Sequence, residues 1–277
     1  MAGDTWTWDP TLYLGSAEFY ARGRVPYPAE LIETITGRLG LHGTGRLLDV
    51  GCGPGALTIP LAASVAEAVG IDADSGMIAA AARAAALSGV ANVTWARMRA
   101  EELPGELGTF DAVTFAQSVH WVRQDIVAPA VRGLLRPGGA VVHVFATTHE
   151  GVAGDDDLPY PRPPRGQIAA LIIRYLGEGR RAGQSTLPNG PIFDTRTPML
   201  AAGFRGPERV ELPGGEVRVR SVDDVVASVF SLSFASPHLF GERLPEFEAD
   251  LRALLEPASA DGLFAERMRG TAFDIWR

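Results

Sequence analysis

The residues able to do chemistry gather in the first half of the chain. Asp49 sits inside the short apolar run Arg46–Val50, and Gly51, Gly53 and Gly55 follow at alternate positions. Glycines so spaced let the backbone turn sharply and approach a ligand that no Cβ would tolerate. A second acid, Asp72, ends the next apolar run, and a carboxylate can accept two hydroxyl bonds at once. The pattern Gly51-x-Gly53-x-x-Ala56 with an acid about twenty residues on fits a dinucleotide site, and equally a site for S-adenosylmethionine. Beyond these lie His120-Trp121, His143, His149, His238 and the single cysteine, Cys52.

These residues need elements to hold them. Arg46–Val50 reads as a first strand, and Leu57, Leu61 and Val65 mark the helix after the glycines, with Pro60 in its first turn. Ala68–Ile71 is a second strand, and Asp74 or Ser75 caps an alanine-rich helix from Gly76 to Leu87. Strands follow at Val93–Met98, Phe110–Phe115 and Ala140–Ala146, with a helix at Asp125–Leu135 and a turn at Arg136–Gly139. A helix over Ala29–Leu39 precedes them all. Strands alternating with helices predict an α/β fold, a doubly wound and mostly parallel sheet. Ligands bind such sheets at the carboxyl ends of the strands. Later, a helix is expected at Gln167–Leu176, then a Gly/Pro-rich loop and a second helix ending at Gly203, and further helices over 222–235 and about 241–256. Arg209–Leu212 and Glu216–Arg220 read as an antiparallel pair around Pro213-Gly214-Gly215.

Composition narrows the function. The net charge is −8 with no long basic block, which argues against nucleic acid and anionic membranes as partners. No apolar run approaches transmembrane length, and one cysteine allows no internal disulfide. A cytoplasmic location is the expectation. The acids Asp155–Asp157 read as a solvated loop, because three consecutive carboxylates do not readily converge on one ion; no metal is expected. Cys52 reads as a small loop filler, and His143, inside a strand, as a hydrogen-bonded core histidine. His120-Trp121, at the end of the fourth strand, is either an acceptor-side pair or a packing pair. Trp6, Trp8 and Phe19 are either an aromatic wall for an acceptor or the packing of an N-terminal lid.

Taken together, Leu48–Gly55, Gly70–Met77, Phe110-Asp111 with its apolar strand, and Leu135–Gly139 resemble the class I S-adenosylmethionine-dependent methyltransferases. The match covers residues 20–146 well. Ala100–Pro104, Gln117–Trp121 and Tyr20-x-Arg22-x-Arg24-x-Pro26-Tyr27-Pro28 resemble the small-molecule branch with the ubiquinone/menaquinone-pathway and trans-aconitate enzymes. The resemblance implies seven strands with an antiparallel final pair and helical caps. It also implies a lid at 1–44, a cofactor-binding core at 45–149, an insert over the acceptor at 150–195, the end of the sheet at 196–220 and helices over 221–277.

Roles follow residue by residue. Gly51 and Gly53 would lie beneath the cofactor's methionine, Asp49 would orient the loop or meet the ammonium, and Asp72 would take the ribose hydroxyls. Met77, or its neighbour Asp74, would flank the adenine, Ala100 would offer its backbone amide to it, and Glu101 would stand beside. Gln117 would lie near the methionine carboxylate or the methyl group, and Tyr20 and Arg24 would close over the carboxylate. Tyr20, His120 and His149 are the candidates to position or deprotonate the acceptor, and Phe19, Trp121 and His238 to line it. Many relatives carry an acid where this chain has Arg99, so the contact to the adenine amino group needs another acceptor. The implied partner is a small-molecule methyl acceptor, and the implied state a monomer or homodimer. A nicotinamide-dependent oxidoreductase and a non-catalytic cofactor-binding protein are the alternatives. A nucleic-acid methyltransferase fits less well, because Ala116–His120 lacks an Asp/Asn-Pro-Pro-aromatic run.

Overall fold

The computed structural model describes residues 9–154, 156–182, 185–187 and 194–277. Trp6, Trp8 and Asp155 lie outside the described residues. The chain divides into two compact units. One falls within Pro26–Ala146, Ile192–Leu212 and Thr271–Arg277; the other falls within Met1–Val25, Thr147–Pro191 and Pro213–Gly270.

The first unit holds a seven-stranded sheet. Its strands are β1 (Arg46–Val50), β2 (Glu67–Asp72), β3 (Val93–Arg97), β4 (Phe110–Ala116), β5 (Leu135–Phe145), β6 (Glu208–Leu212) and β7 (Thr271–Trp276). They lie in the order β3-β2-β1-β4-β5-β7-β6. The first five run parallel, and β7 runs antiparallel to both β5 and β6. Both faces are apolar, as a parallel sheet covered on two sides requires. Leu48, Val50, Val113, Phe115, Val141 and Trp276 face a core shared with the helix Gln124–Leu134. Leu47, Ala112, Val142, Val144, Phe273 and Ile275 face a second core, shared with the helix Ala29–Leu39.

The early elements lie where the residues predict them. Asp74 caps the helix Ser75–Leu87, its Oδ1 accepting the Met77 amide at 2.9 Å. The Arg136–Gly139 turn lies inside β5. There the pairing with β4 jumps from Phe110↔Leu135 to Ala112↔Ala140, and the turn loops out between the two points. Gly138 supplies the left-handed backbone, at φ 83°.

The C-terminal third corrects the sequence reading. Arg209–Leu212 does not pair with Glu216–Arg220. Strand β6 pairs with β7, and Val217–Ser221 pairs with Leu263–Arg267. The Pro213-Gly214-Gly215 segment is pressed against other main chain, where a Cβ on Gly214 would stand 2.4 Å from Gly270 N. The stretch 263–276, expected to be helical, is extended. Phe264 and Ala265 in one strand, and Phe273, Ile275 and Trp276 in the other, have almost no exposure.

In the second unit the helix Ala17–Gly23 lies against Val222–Phe230. A Cβ on Gly23 would stand 2.4 Å from the Ala227 carbonyl oxygen, so glycine permits the approach. Phe230, Phe240, Phe247, Leu251 and Phe264 form its core with the helix Arg165–Leu176. The acidic loop is ion-paired: Asp156 holds Arg162, and Arg267 Nε lies 2.7 Å away. Among the described residues there is no cluster of metal-ligating side chains, and no helix long and apolar enough to cross a membrane.

Candidate functional site

The carboxyl end of β1 turns on Gly51 (φ 67°), Gly53 (φ 53°) and Gly55 (φ 82°). The Gly51 and Cys52 amides both donate to the Ile71 carbonyl, at 2.8 and 3.0 Å, which ties the turn to β2. A Cβ on Gly51 would stand 2.5 Å from Ser118 Cβ. Around Gly53 the space is open, with nothing within 4 Å of where a Cβ would be.

Two carboxylates hold this turn. Asp49 is wholly buried, and it accepts Thr58 Oγ1 at 2.5 Å and Thr114 Oγ1 at 2.7 Å. Thr58 opens the short helix Thr58–Ala62, so the Asp49–Thr58 bond closes the whole loop from strand to helix. Burial pushes Asp49 up to about 6, against the two hydroxyl bonds that favour its ionised form. Asp72 is half-buried. Its Oδ2 accepts the Gly53 amide at 2.9 Å and its Oδ1 the Asp74 amide at 2.9 Å. Burial pushes Asp72 up to about 6 as well, despite these two amide bonds. A carboxylate has about four acceptor positions. Asp72 therefore keeps capacity for a ligand diol beside an open glycine, an arrangement that fits the nucleoside of a cofactor.

Across the turn, β4 is followed by Gln117, whose backbone is left-handed at φ 55°. Its amide donates to Val144 O at 3.0 Å, and its Nε2 donates to the Tyr27 hydroxyl at 3.1 Å. Ser118 Oγ donates to Val50 O at 2.6 Å. The turn Val119–Trp121 follows, with the His120 and Trp121 rings 4.8 Å apart. Burial pushes His120 down to about 4, so its imidazole is neutral at pH 7 and can accept a proton. After β3, Ala100 is buried, and Glu101 is committed: it accepts the Arg123 amide at 2.8 Å and pairs with Arg99 at 3.3 Å. Met77 is buried in the first turn of its helix.

Asp49, Gly51, Gly53, Asp72, Met77, Ala100, Glu101, Gln117, His120 and Trp121 thus belong to one unit, at or just beyond the carboxyl ends of β1 to β4. Phe19, Tyr20, Arg24, His149 and His238 belong to the other. There Arg24 stacks over Tyr20 at 4.9 Å and donates to Ser231 Oγ and Ser231 O, at 2.8 and 2.6 Å. Phe19 packs on Phe230 at 5.0 Å. The His149 carbonyl accepts Arg165, and His238 Nδ1 meets Leu14 O at 3.0 Å on the surface. His143 is a core residue, edge-on to Phe115 at 5.4 Å, and burial pushes it down to about 3. Contrary to the expectation of a hydrogen-bonded ring, its Nδ1 has no partner among the described residues. The sequence reading missed Thr58, Thr114, Ser118 and Tyr27. The one signal for Thr58 was a hydroxyl at the start of the helix that follows the glycines.

Comparison with known proteins bears on the same stretch of chain. Residues 47–139 match the family model described as a methyltransferase domain. The chain is 35% identical over 147 residues to an uncharacterized methyltransferase of Mycobacterium tuberculosis, covering 51% of this chain and 55% of that protein. It is 39% identical over 155 residues to a ubiquinone biosynthesis O-methyltransferase of Roseobacter denitrificans, covering 54% and 56%. The chain thus spans about half the length of the curated relatives it matches. The fold is similar to that of precorrin 8w decarboxylase from Methanobacterium thermoautotrophicum, at TM-score 0.50 and 14% identity, over 92% of this chain and 94% of that one. The glycine turn and both carboxylates thus lie within the stretch that matches a methyltransferase domain.

Proposed function

We propose that the protein transfers a methyl group from S-adenosylmethionine to a small-molecule acceptor, such as a natural product or other secondary metabolite, at oxygen, nitrogen or an activated ring carbon such as that of an indole. The observation that carries the reading is the bond between Asp72 and the Gly53 amide, which fixes a carboxylate with spare acceptor positions beside an open backbone turn. Asp72 would hold the ribose, Gly51 and Gly53 would admit the methionine end, and Asp49 would keep the loop in shape through Thr58. The bound cofactor supplies an already activated sulfonium methyl for in-line attack. The protein's task is then alignment, and orientation alone can supply about 7–11 kcal/mol of barrier reduction.

His120 is the candidate base for an acceptor that loses a proton, because its neutral ring lies just past the end of β4. Tyr20 and His149 are the further candidates, and Tyr20, Arg24, Phe19, Trp121 and His238 the proposed contacts around cofactor and acceptor. The net charge of −8 supports a small molecule over a nucleic-acid backbone, which a basic surface would attract. We place the protein in the cytoplasm, as monomer or homodimer.

Incubation with methyl-labelled S-adenosylmethionine and a panel of phenols, amines, carboxylates and indoles tests this. Labelled product that disappears in Asp72→Ala is the expected result. Tight cofactor binding with no turnover across the panel would instead favour a non-catalytic binding protein.

A further inference from the structure

Gln117 is the one non-glycine residue with a positive φ among the described residues. Glycine adopts that backbone freely, and asparagine more readily than glutamine. The main chain there is pinned by the Gln117 amide on Val144 O and by Ser118 Oγ on Val50 O, so the conformation is built in. What glutamine adds over glycine is a side-chain amide. Its Nε2 is spent on the Tyr27 hydroxyl at 3.1 Å. Its Oε1 makes no hydrogen bond to a described residue, and it is not among the sealed buried atoms. Tyr27 stands two residues before the helix Ala29–Leu39 and packs against the core beneath it.

We infer that Tyr27 is a positioning residue: it takes the amide nitrogen of Gln117 and leaves the carbonyl oxygen as the group that meets a ligand ammonium. The inference rests on the proposed function and deepens it. The sequence left Gln117 to either the methionine carboxylate or the methyl group. A bare carbonyl oxygen accepts a hydrogen bond and repels a carboxylate, and the proposed methyl donor brings one strong N–H donor, its ammonium.

Calorimetric titration with S-adenosylhomocysteine, and with the same molecule lacking its amino group, tests this. Thermal melts check that each variant folds. Gln117→Ala is expected to lose about tenfold in affinity for S-adenosylhomocysteine, a typical cost for one hydrogen bond to a charged group. Gln117→Glu keeps both the acceptor oxygen and the Tyr27 contact, and stays within about threefold of wild type or tightens. Tyr27→Phe weakens binding about threefold, yet adds nothing in the Gln117→Ala background. For the deaminated probe all five proteins bind alike. The inference is overturned if Gln117→Glu abolishes binding while Gln117→Ala keeps it, or if Tyr27→Phe adds its full loss to Gln117→Ala. A wild type that binds neither probe overturns the methyl-donor reading itself. A wild type that binds while every variant matches it overturns only the role of Tyr27 and Gln117.

Discussion

The two carboxylates under the glycine turn are held differently, and this has consequences for pH. Asp49 has only the neutral hydroxyls of Thr58 and Thr114, and burial lifts it from 3.8 to about 6. Its folded value lies above its unfolded one. The native state therefore takes up the proton more readily, and the stability this contributes is full below the unfolded value and lost as pH rises through about 6. The difference amounts to at most about 2–3 kcal/mol. Asp49→Asn should thus melt no lower than wild type at pH 7.5, with the advantage shrinking as pH falls and gone below about 4. A mutant that melts several degrees lower at pH 7.5 would show that the ionised carboxylate has a stabilising partner. His120, pushed down to about 4, is neutral across the working range. If it takes the acceptor's proton, His120→Ala should cost about 10²–10⁴-fold in kcat and remove an acid limb near pH 4. Unchanged turnover with normal cofactor binding would remove His120 from that role.

The glycine turn shows how an element divides its labour. Gly51 and Gly53 are both left-handed, but a Cβ on Gly51 meets Ser118 at 2.5 Å and one on Gly53 meets nothing. Gly51→Ala should therefore destabilise the fold, by about 1–3 kcal/mol of overpacking. Gly53→Ala should cost only about 1–2 kcal/mol for its left-handed backbone, which Gly51→Ala bears in addition to its clash, and should lose S-adenosylhomocysteine affinity. Melts and titrations of the pair separate the two effects; equal melting losses would contradict the assignment. The elements around this turn were legible because their signals are local. An apolar run ending at Asp49 or Asp72 makes a strand, and Asp74 caps the helix it precedes. The C-terminal strands were not legible. Pro213-Gly214-Gly215 is a local hairpin signal, but β6 finds its partner in Thr271–Trp276, far along the chain. Burial of Phe273 and Ile275 overrides the turn. The clamps Thr58 and Thr114 were equally hidden, because a hydroxyl's role depends on a partner from another element. The hold on Glu101 was hidden in the same way, because its carboxylate accepts the Arg123 amide from another part of the chain.

At the scale of the whole molecule, each unit carries its own organising polar centre. In the sheet unit that centre is the carboxylate-bound glycine turn. In the other it is Glu266, almost fully buried, with Arg165 at 2.7 Å and Arg220 at 3.4 Å. Burial alone would raise Glu266, but the Arg165 bond and both positive charges hold it below its usual range. Its contribution to stability is present above the unfolded value and lost as pH falls through the folded one. Glu266→Ala leaves two arginines without their counter-charge and should cost about 3–5 kcal/mol. Hydrogen exchange at Val217–Ser221 and Leu263–Arg267 reads that loss, and unchanged protection would contradict it. The central claim concerns the sheet unit, and one measurement reaches it most directly: calorimetric titration of wild type and Asp72→Ala with S-adenosylhomocysteine and with NAD at pH 7.5. Micromolar or tighter binding of S-adenosylhomocysteine, lost in Asp72→Ala, with no heat from NAD, is the predicted result. Binding of NAD, or S-adenosylhomocysteine binding indifferent to Asp72, would contradict it.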